Sequence, residues 1–472
     1  MNIVSTLGLT GLLLLAGCAS TTTLKPSDPQ SASSVAVTQP SGAKPQASQT
    51  GQAVSPTVTL LPITAAQASS RAVAALAPPV DIWDRIRRGY GMPNLDTPLV
   101  REREQWYATR PDYILRMTER SRKYLFYIVE ELELRNMPSE LALLPFIESA
   151  FNPQAVSSAK AAGMWQFMPA TGKYFELKQN AFRDDRRDVL ASTRAALDYL
   201  QKLYSMFGDW QLALAAYNWG EGSVGRAIAK NQRAGLGTSY SELNMPMETR
   251  FYLPKLQAVK NIVSDPPALN STLPAIGNHP YFQTVDIKHD IDVALAAKLA
   301  EVPLEDFKAL NPGASRPVIL AAGTPQILLP WDNAVVFQSN LEAYTGGRLA
   351  SWTVWLAPTT MRPADAAKRV GMTEAELRSV NHIPPRVAIK AGSSLLVPRS
   401  NQLATNVTLH LADNGQLSLV ADKVKKPTNR KAGKAALHAK ATTKGSAKTG
   451  SRLARHKAAP VRLAKRSTTR SS

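Results

Sequence analysis

Between residues 81 and 268 the apolar residues recur at helical spacing. In Tyr113–Arg135 they fall at Ile114, Met117, Leu125, Ile128 and Leu132, which line one face of a helix. Ala196, Tyr199, Leu200, Leu203 and Phe207 draw the same stripe further on. No alternating run of strand character interrupts them, so the pattern predicts an all-α domain over 81–268. Within it Pro138 suits the first position of a helix, where its missing N–H costs nothing, and opens the segment PSELALLPFIESAFNP.

After this body the pattern changes to short strands and repeats. A shift of 70 residues aligns Ala296 with Ala366, Ala297 with Ala367, Lys298 with Lys368, Phe307 with Leu377, Leu310 with Val380 and Asn311 with Asn381. Opening strands are expected at Phe282–Ile287 and Trp352–Leu356, and closing strands at Gly323–Pro330 and Gly392–Pro398. Each unit therefore reads strand, helix, helix, strand. This βααβ order resembles the LysM modules, and the resemblance implies binding of N-acetylglucosamine chains. The Gly-Asp-Thr-Leu turn typical of LysM is absent. Asp290-Ile291-Asp292-Val293 stands there in the first unit and Thr360-Met361-Arg362-Pro363 in the second. The units are bounded at 281–332 and 350–400, and packing on the helical domain is the alternative to glycan binding. Over 401–422, Asn406–His410 and Leu417–Val420 flank Asp413-Asn414-Gly415, which predicts a hairpin.

The two ends read as something other than core. The first residues hold an apolar run from Leu7 to Ala16, too short for the ~20 residues of a membrane span. It fits the h-region of a signal peptide, here 1–17, although no Lys or Arg precedes it. Leu15-Ala16-Gly17-Cys18 follows and resembles the bacterial lipobox, which implies cleavage before Cys18 and lipidation of its thiol. Ala19 after it resembles the outer-membrane-sorted lipoproteins. Cys18 is the sole cysteine, which rules out an intramolecular disulfide. Residues 18–80 are Ser, Thr, Ala, Gln and Pro, a composition that cannot offset its own ordering entropy and reads as a disordered linker. At ~5–6 Å × √n such a tether reaches ~40 Å.

The net charge of +20 would ordinarily suggest nucleic acid. However, 423–472 alone holds 16 Lys and Arg and no Asp or Glu, so the rest is nearly balanced. The charge describes a disordered basic tail, either simply solvated or in contact with a polyanion of the envelope, and no nucleic-acid partner is expected. Six scattered histidines without an HExxH pair give no metal site, and no cofactor is expected.

The candidate chemistry lies in the helical domain. Glu148 follows the apolar run Leu141–Ile147 and has Leu144, Pro145 and Phe151 at helical spacing. Such surroundings desolvate the carboxylate and raise its pKa toward neutrality, as a general acid working at pH 7 requires. A solvated Glu near a helix end is the plainer reading of that pattern alone.

Three further blocks change the picture: AAGMWQFMPATG at 161–172, LAAYNWGEG at 214–222 and ETRFYLPKL at 248–256. Together with ESAFNPQAVSS they resemble, in order and spacing, the lytic transglycosylases of the soluble type, related in fold to goose-type lysozyme. The lipobox and the C-terminal repeats point to the membrane-bound members of that family. The resemblance implies a mainly α protein, with a lysozyme-like catalytic domain followed by two small α+β modules. It implies that Glu148 is the single acid/base, and that Ser157, Gly163, Gln166, Met168, Tyr217 and Asn218 line the glycan cleft.

The residue types suit those roles. Ser157 and Gln166 can hydrogen-bond N-acetyl and hydroxyl groups. Tyr217 offers a ring and a hydroxyl that could hold Glu148 or the scissile oxygen. Gly163 lets the chain turn close to substrate. Phe167 and Met168 are either cleft or core, and Asn218 either touches substrate or caps a helix end beside Gly220.

The implied partners are peptidoglycan glycan strands and, through an acylated Cys18, outer-membrane lipid facing the periplasm. The implied reaction cleaves the β-1,4 bond between N-acetylmuramic acid and N-acetylglucosamine without water, leaving 1,6-anhydro ends. It needs one carboxylate, where hydrolytic glycosidases need two. Glu221 sits in a Gly-rich turn, and Asp184, Asp185 and Asp188 lie among arginines, where pairing is their expected role. The alternatives are a muramidase that hydrolyses the same bond and a non-catalytic wall-binding lipoprotein.

Overall fold

The computed structural model describes residues 79–400 and 406–422. The signal peptide, Cys18, nearly all of the linker and the basic tail lie outside the described residues.

The chain enters the helical body at Asp81, whose carboxylate caps α1 (Ile82–Arg88) by accepting from the Trp83 N–H at 2.6 Å. Thr97 caps α2 (Pro98–Ala108) in the same way. The stripe expected as one helix over Tyr113–Arg135 is two. They are α3 (Pro111–Ser121) and α4 (Leu125–Leu134), and the Tyr124 N–H turns back to the Ser121 carbonyl between them. The break redirects the second half, yet Ile114, Met117, Leu125, Ile128 and Leu132 all remain buried.

Pro138 opens a single 3₁₀ stretch, Ser139–Leu143, which passes into the short α5 (Leu144–Ser149). Then come α6 (Pro169–Tyr174), α7 (Val189–Phe207), α8 (Trp210–Trp219) and α9 (Glu221–Arg233). The four-residue α10 (Met247–Arg250) and α11 (Tyr252–Ser264) complete the body. Asp188 and Asp209 cap α7 and α8. One apolar core runs through these helices.

Inside that core lies one ion pair. Glu140 Oε1 receives Lys260 Nζ at 2.9 Å, with the two side chains 1% and 9% exposed. The Glu140 carboxylate also accepts the N–H groups of Gly91 and Met92, while Lys260 sits 4.7 Å from the Tyr90 ring centre. This network satisfies a charge that would otherwise be costly to bury, and ties the entry strand of chain to the segment that carries Glu148.

The helical body extends past 268. Ile82 donates to the Ile276 carbonyl at 2.9 Å, Asn278 to that of Val80 at 2.9 Å, and Ile276 is buried in the core.

The first repeat contains β1 (Phe282–Asp286), β2 (Ile291–Asp292), α12 (Val293–Leu299), α13 (Leu304–Leu310), β3 (Val318–Ile319), β4 (Gln326–Pro330) and an added α14 (Asn333–Glu342). The second contains β5 (Trp352–Leu356), α15 (Pro363–Arg369), α16 (Glu374–Asn381), β6 (Val387–Ile389) and β7 (Ser394–Pro398). In each, the opening strand pairs antiparallel with the closing one, Phe282 opposite Pro330 and Trp352 opposite Pro398. The Ile291–Ile319 pairing reappears 70 residues on as Met361–Ile389.

The repeated asparagine has one job in both copies. Asn311 accepts from the Leu328 N–H at 2.8 Å and donates to its carbonyl at 2.8 Å, and Asn381 does the same to Leu396 at 2.6 and 2.9 Å. A side-chain amide thus pairs like a backbone unit and locks the second helix to the closing strand.

The expected hairpin at 406–422 does not form. Leu409–Asn414 is helix α17, and β8 (Leu419–Ala421) pairs instead with β6. A tight Asn-Gly hairpin turn needs positive φ at its centre, whereas Gly415 has φ −59°. Tertiary partners decide the matter. Asn180 Nδ2 donates to the carbonyls of Ala412 and Asp413, Arg183 pairs with Asp413 at 2.8 Å, and Ala181 donates to the Gly415 carbonyl.

These contacts belong to a junction that packs both repeats on the helical body. Phe182, Val318, Leu320, Leu396, Val407 and Ala412 form one shared apolar cluster. The two repeats are joined by an Arg399–Asp290 pair at 2.9 Å, with side chains 5% and 0% exposed.

Candidate active site

Four hydrogen bonds link the sequence blocks in a closed circuit. Ser149 Oγ, next to Glu148, donates to the Met164 carbonyl of the second block at 2.9 Å. The Tyr217 hydroxyl of the third donates to the Trp165 carbonyl at 2.9 Å. Thr249 Oγ1 of the fourth donates to Asn218 Oδ1 at 2.8 Å. Tyr252, also of the fourth, donates its hydroxyl to Glu148 Oε1 at 2.5 Å and closes the ring. Residues separated by up to 104 positions thus converge around one carboxylate.

Glu148 lies in α5, whose end turns sharply because Ala150 and Phe151 both take left-handed conformations (φ 51° and 54°). The turn buries Phe151 against Phe146, with ring centres 4.5 Å apart, and leaves Glu148 half-buried. Burial pushes its pKa from the usual carboxylate range up to about 7. The Tyr252 hydrogen bond and the Lys255 charge pull the other way, and the Glu248 carboxylate adds to the rise. Tyr252 itself stays a neutral donor, because burial holds its phenol well above 10.

The expected residues divide by what they touch. Tyr217 does not hold Glu148. Its hydroxyl is committed to Trp165, and its ring lies 5.5 Å from that of Tyr199. The role foreseen for it falls to Tyr252, which lies inside the quoted fourth block and had no assigned part. Gly163 is required by packing: with φ 84°, a Cβ there would lie 1.9 Å from the Arg186 carbonyl oxygen. Ser157 Oγ accepts from the Ala161 N–H at 3.0 Å, which leaves its own proton to donate.

Gln166, at φ 49°, donates Nε2 to the Gly163 carbonyl at 2.8 Å, and its carboxamide oxygen is an acceptor still to be used. Phe167 is core, 3% exposed, whereas Met168 is 44% exposed and is not. Asn218 neither caps the helix end nor stands alone, since its oxygen receives Thr249. Trp165, fully buried, anchors the second block to α7 by donating to Thr193 Oγ1 at 3.1 Å.

The four carboxylates set aside from the sequence, Glu221, Asp184, Asp185 and Asp188, are engaged. Glu221 takes the Tyr199 hydroxyl at 2.7 Å and Lys202 at 3.3 Å, and the first of these holds its pKa below the usual range. Asp184 is bound by Arg186 at 2.9 and 2.7 Å, and Asp188 caps α7. Asp185 accepts from the Lys178 N–H, and burial raises it to about 6.

The transglycosylase SLT domain family matches residues 127–236, the LysM-like domain of lytic transglycosylase MltD matches 281–346, and the LysM domain matches 367–398. The chain is 33% identical over 367 residues to membrane-bound lytic murein transglycosylase D of Escherichia coli K12, covering 74% of this chain and 80% of that one. It is 39% identical over 192 residues to a putative tributyltin chloride resistance protein of Alteromonas, covering 40% of this chain and 90% of that one. Among solved structures, the 70 kDa soluble lytic transglycosylase of Escherichia coli aligns over 30% of this chain and 25% of its own, with 25% identity and a TM-score of 0.22.

Proposed function

Given that the chain belongs to the family of membrane-bound lytic murein transglycosylase D, we propose that it cleaves peptidoglycan as a lytic transglycosylase with Glu148 as its only acid/base. The observation that carries this reading is a half-buried carboxyl whose pKa stands near 7, gripped by a neutral tyrosine hydroxyl. Such a group is partly protonated at neutral pH and can both give and take a proton.

The chemistry runs in two steps. Glu148 donates its proton to the oxygen that bridges N-acetylmuramic acid and N-acetylglucosamine, and the C1–O bond breaks. The carbonyl oxygen of the substrate's own N-acetyl group meets the electron-poor anomeric carbon. Glu148, now a carboxylate, takes the proton of the muramic C6 hydroxyl. That oxygen bonds to C1, releases the acetamido oxygen and closes the 1,6-anhydro ring. Glu148 ends protonated as it began, and no water enters. Tyr252 steadies the carboxylate between the steps. The engagement of Glu221 and Asp184 elsewhere supports a route that needs no second carboxylate.

Ser157, Gln166 and Met168 are proposed to line the glycan cleft, as donor, acceptor and apolar contact. Tyr217 and Asn218 are proposed to shape it through Trp165 and Thr249. The chain is a membrane-associated protein of the cell envelope by the same kinship. Among the described residues no helix is long and apolar enough to cross a membrane. A lipid anchor at Cys18 facing the periplasm, proposed from the lipobox resemblance, would hold the enzyme to the outer membrane.

Digestion of purified sacculi followed by mass spectrometry tests the reaction. Muropeptides with anhydro ends, one water lighter than reducing ends, are expected. Reducing ends alone would establish a muramidase, and no soluble product a wall-binding protein.

A further inference from the structure

A cavity of about 900 Å³ lies where the helical body meets the two repeats. One wall is the segment that leaves Glu148, with Phe151 and Gln154. At 3.8 Å per peptide step, the Cα atoms of Glu148 and Phe151 are at most about 11 Å apart. The opposite wall comes from the first repeat, including Arg316, and the rim of the second supplies His382.

The cavity is cationic and its cations are unequally matched. Lys308 pairs with Glu305 at 3.0 Å and Lys123 with Asp306, so these are accounted for. Arg316 has no acidic partner among the described residues. It is held by the carbonyls of Ala181 at 2.6 Å and Val380 at 2.7 Å, and burial lowers its pKa to about 10. Arg120, likewise without an acidic partner, donates to the Ala150 carbonyl at 3.2 Å. Arg187 donates Nη1 to Gln154 at 3.0 Å, but its nearest carboxylate oxygen, on Asp184, is 3.9 Å away and its buried Nε has no hydrogen-bond partner. Burial, and after it the charges of Arg316 and Arg187, lower the His382 pKa. Arg316 and Arg120, oriented by backbone carbonyls and without an acidic partner among the described residues, form a preorganised receptor for carboxylate, beside Arg187, whose charge is shared with the lining Asp184.

We propose that this cavity binds the carboxylates of the stem peptide borne by the glycan strand under cleavage. The inference rests on the function proposed above, since peptidoglycan carries such peptides on the lactyl group of each muramic residue. The cavity's volume is that of a small-ligand pocket and suits a short peptide rather than a membrane surface. The Arg187 and Arg316 forks together would fix the stem while the sugar lies at Glu148, which makes this a specificity site contributed jointly by catalytic domain and repeat.

The test compares glycan strands bearing stem peptides with strands stripped of them by an amidase, using the full chain. Wild type is expected to show a KM about tenfold lower on the stem-bearing strands, as one charge-assisted contact allows. Arg187→Gln and, at the exposed rim, Arg120→Gln are expected to lose most of that advantage and leave KM on stripped strands unchanged. Equal KM values for wild type on both substrates, or equal losses on both in the variants, would overturn the proposal. So would an intact stem preference in variants that lose binding to anionic phospholipid vesicles, which would assign the cavity to lipid. Failure of wild type to form anhydro ends on either strand would instead overturn the underlying function.

Discussion

Tyr252 donates its hydroxyl to Glu148 Oε1 across 104 positions of sequence, and among the described residues it is the one side chain whose hydrogen bond holds the Glu148 pKa down. Burial raises the carboxyl, and the phenol restrains the rise by stabilising the charged form. The pair therefore sets the pH at which the acid is available.

Tyr252→Phe tests that relationship. Without the hydroxyl the carboxylate loses its donor, and the Glu148 pKa moves up from about 7. Cleavage from free enzyme requires the protonated acid, so kcat/KM falls as pH rises through this pKa. The falling limb is expected at higher pH in the variant, with a lower maximum because the carboxylate formed after the first step is less stable. An unmoved limb would mean that Tyr252 does not act on Glu148.

The same shift bears on stability. In the folded chain Glu148 titrates near 7 and in the unfolded chain near 4.5, so between these values the folded state binds the extra proton. Stability from this group is therefore lost as pH rises from about 4.5 to 7, an effect of up to about 3 kcal/mol at pH 8. Glu148→Gln should melt higher than wild type at pH 8 and nearly alike at pH 4. Equal melting temperatures at both would show that burial does not strain the carboxylate.

Gly163→Ala is predicted to act on folding. Its Cβ would strike the Arg186 carbonyl at 1.9 Å, and its backbone would have to hold φ 84°. A loss of more than about 2 kcal/mol is expected, read as a melting temperature lower by several degrees. A stable variant with only a raised KM would mean that Gly163 acts on substrate and not on folding.

The Glu140–Lys260 pair gives a prediction about the core. Lys260→Met should cost about 3–5 kcal/mol in urea denaturation, because it leaves Glu140 buried with only the Gly91 and Met92 amides. Adding Glu140→Gln should recover part of that loss. A double variant no more stable than Lys260→Met alone would mean that the charge of Glu140 is not the source of the cost.

Local pattern carried much of the structure. The apolar stripes gave the core faces they named, with only Phe207 partly buried, and the 70-residue shift placed Asn311 and Asn381, whose identical bonds to Leu328 and Leu396 show why that residue recurs. Glu148 was visible because its apolar neighbours are adjacent in sequence. What stayed hidden depends on long-range contact. The partner of Glu148 lies 104 positions away, and neighbouring sequence does not distinguish Tyr252 from Tyr217. Gly163 is fixed by the Arg186 backbone 23 positions on. The Asp413-Asn414-Gly415 turn gave way to Asn180 and Arg183, because tertiary hydrogen bonds to the helix carbonyls and to the Asp413 carboxylate outweigh a weak local preference.

Turnover of intact sacculi by Glu148→Gln, set beside its binding to the same sacculi, bears most directly on the single acid/base. A loss of at least about a hundredfold in release of anhydro muropeptides, with binding retained, is the predicted result. A variant that binds and still turns over at more than about a tenth of the wild-type rate would contradict it.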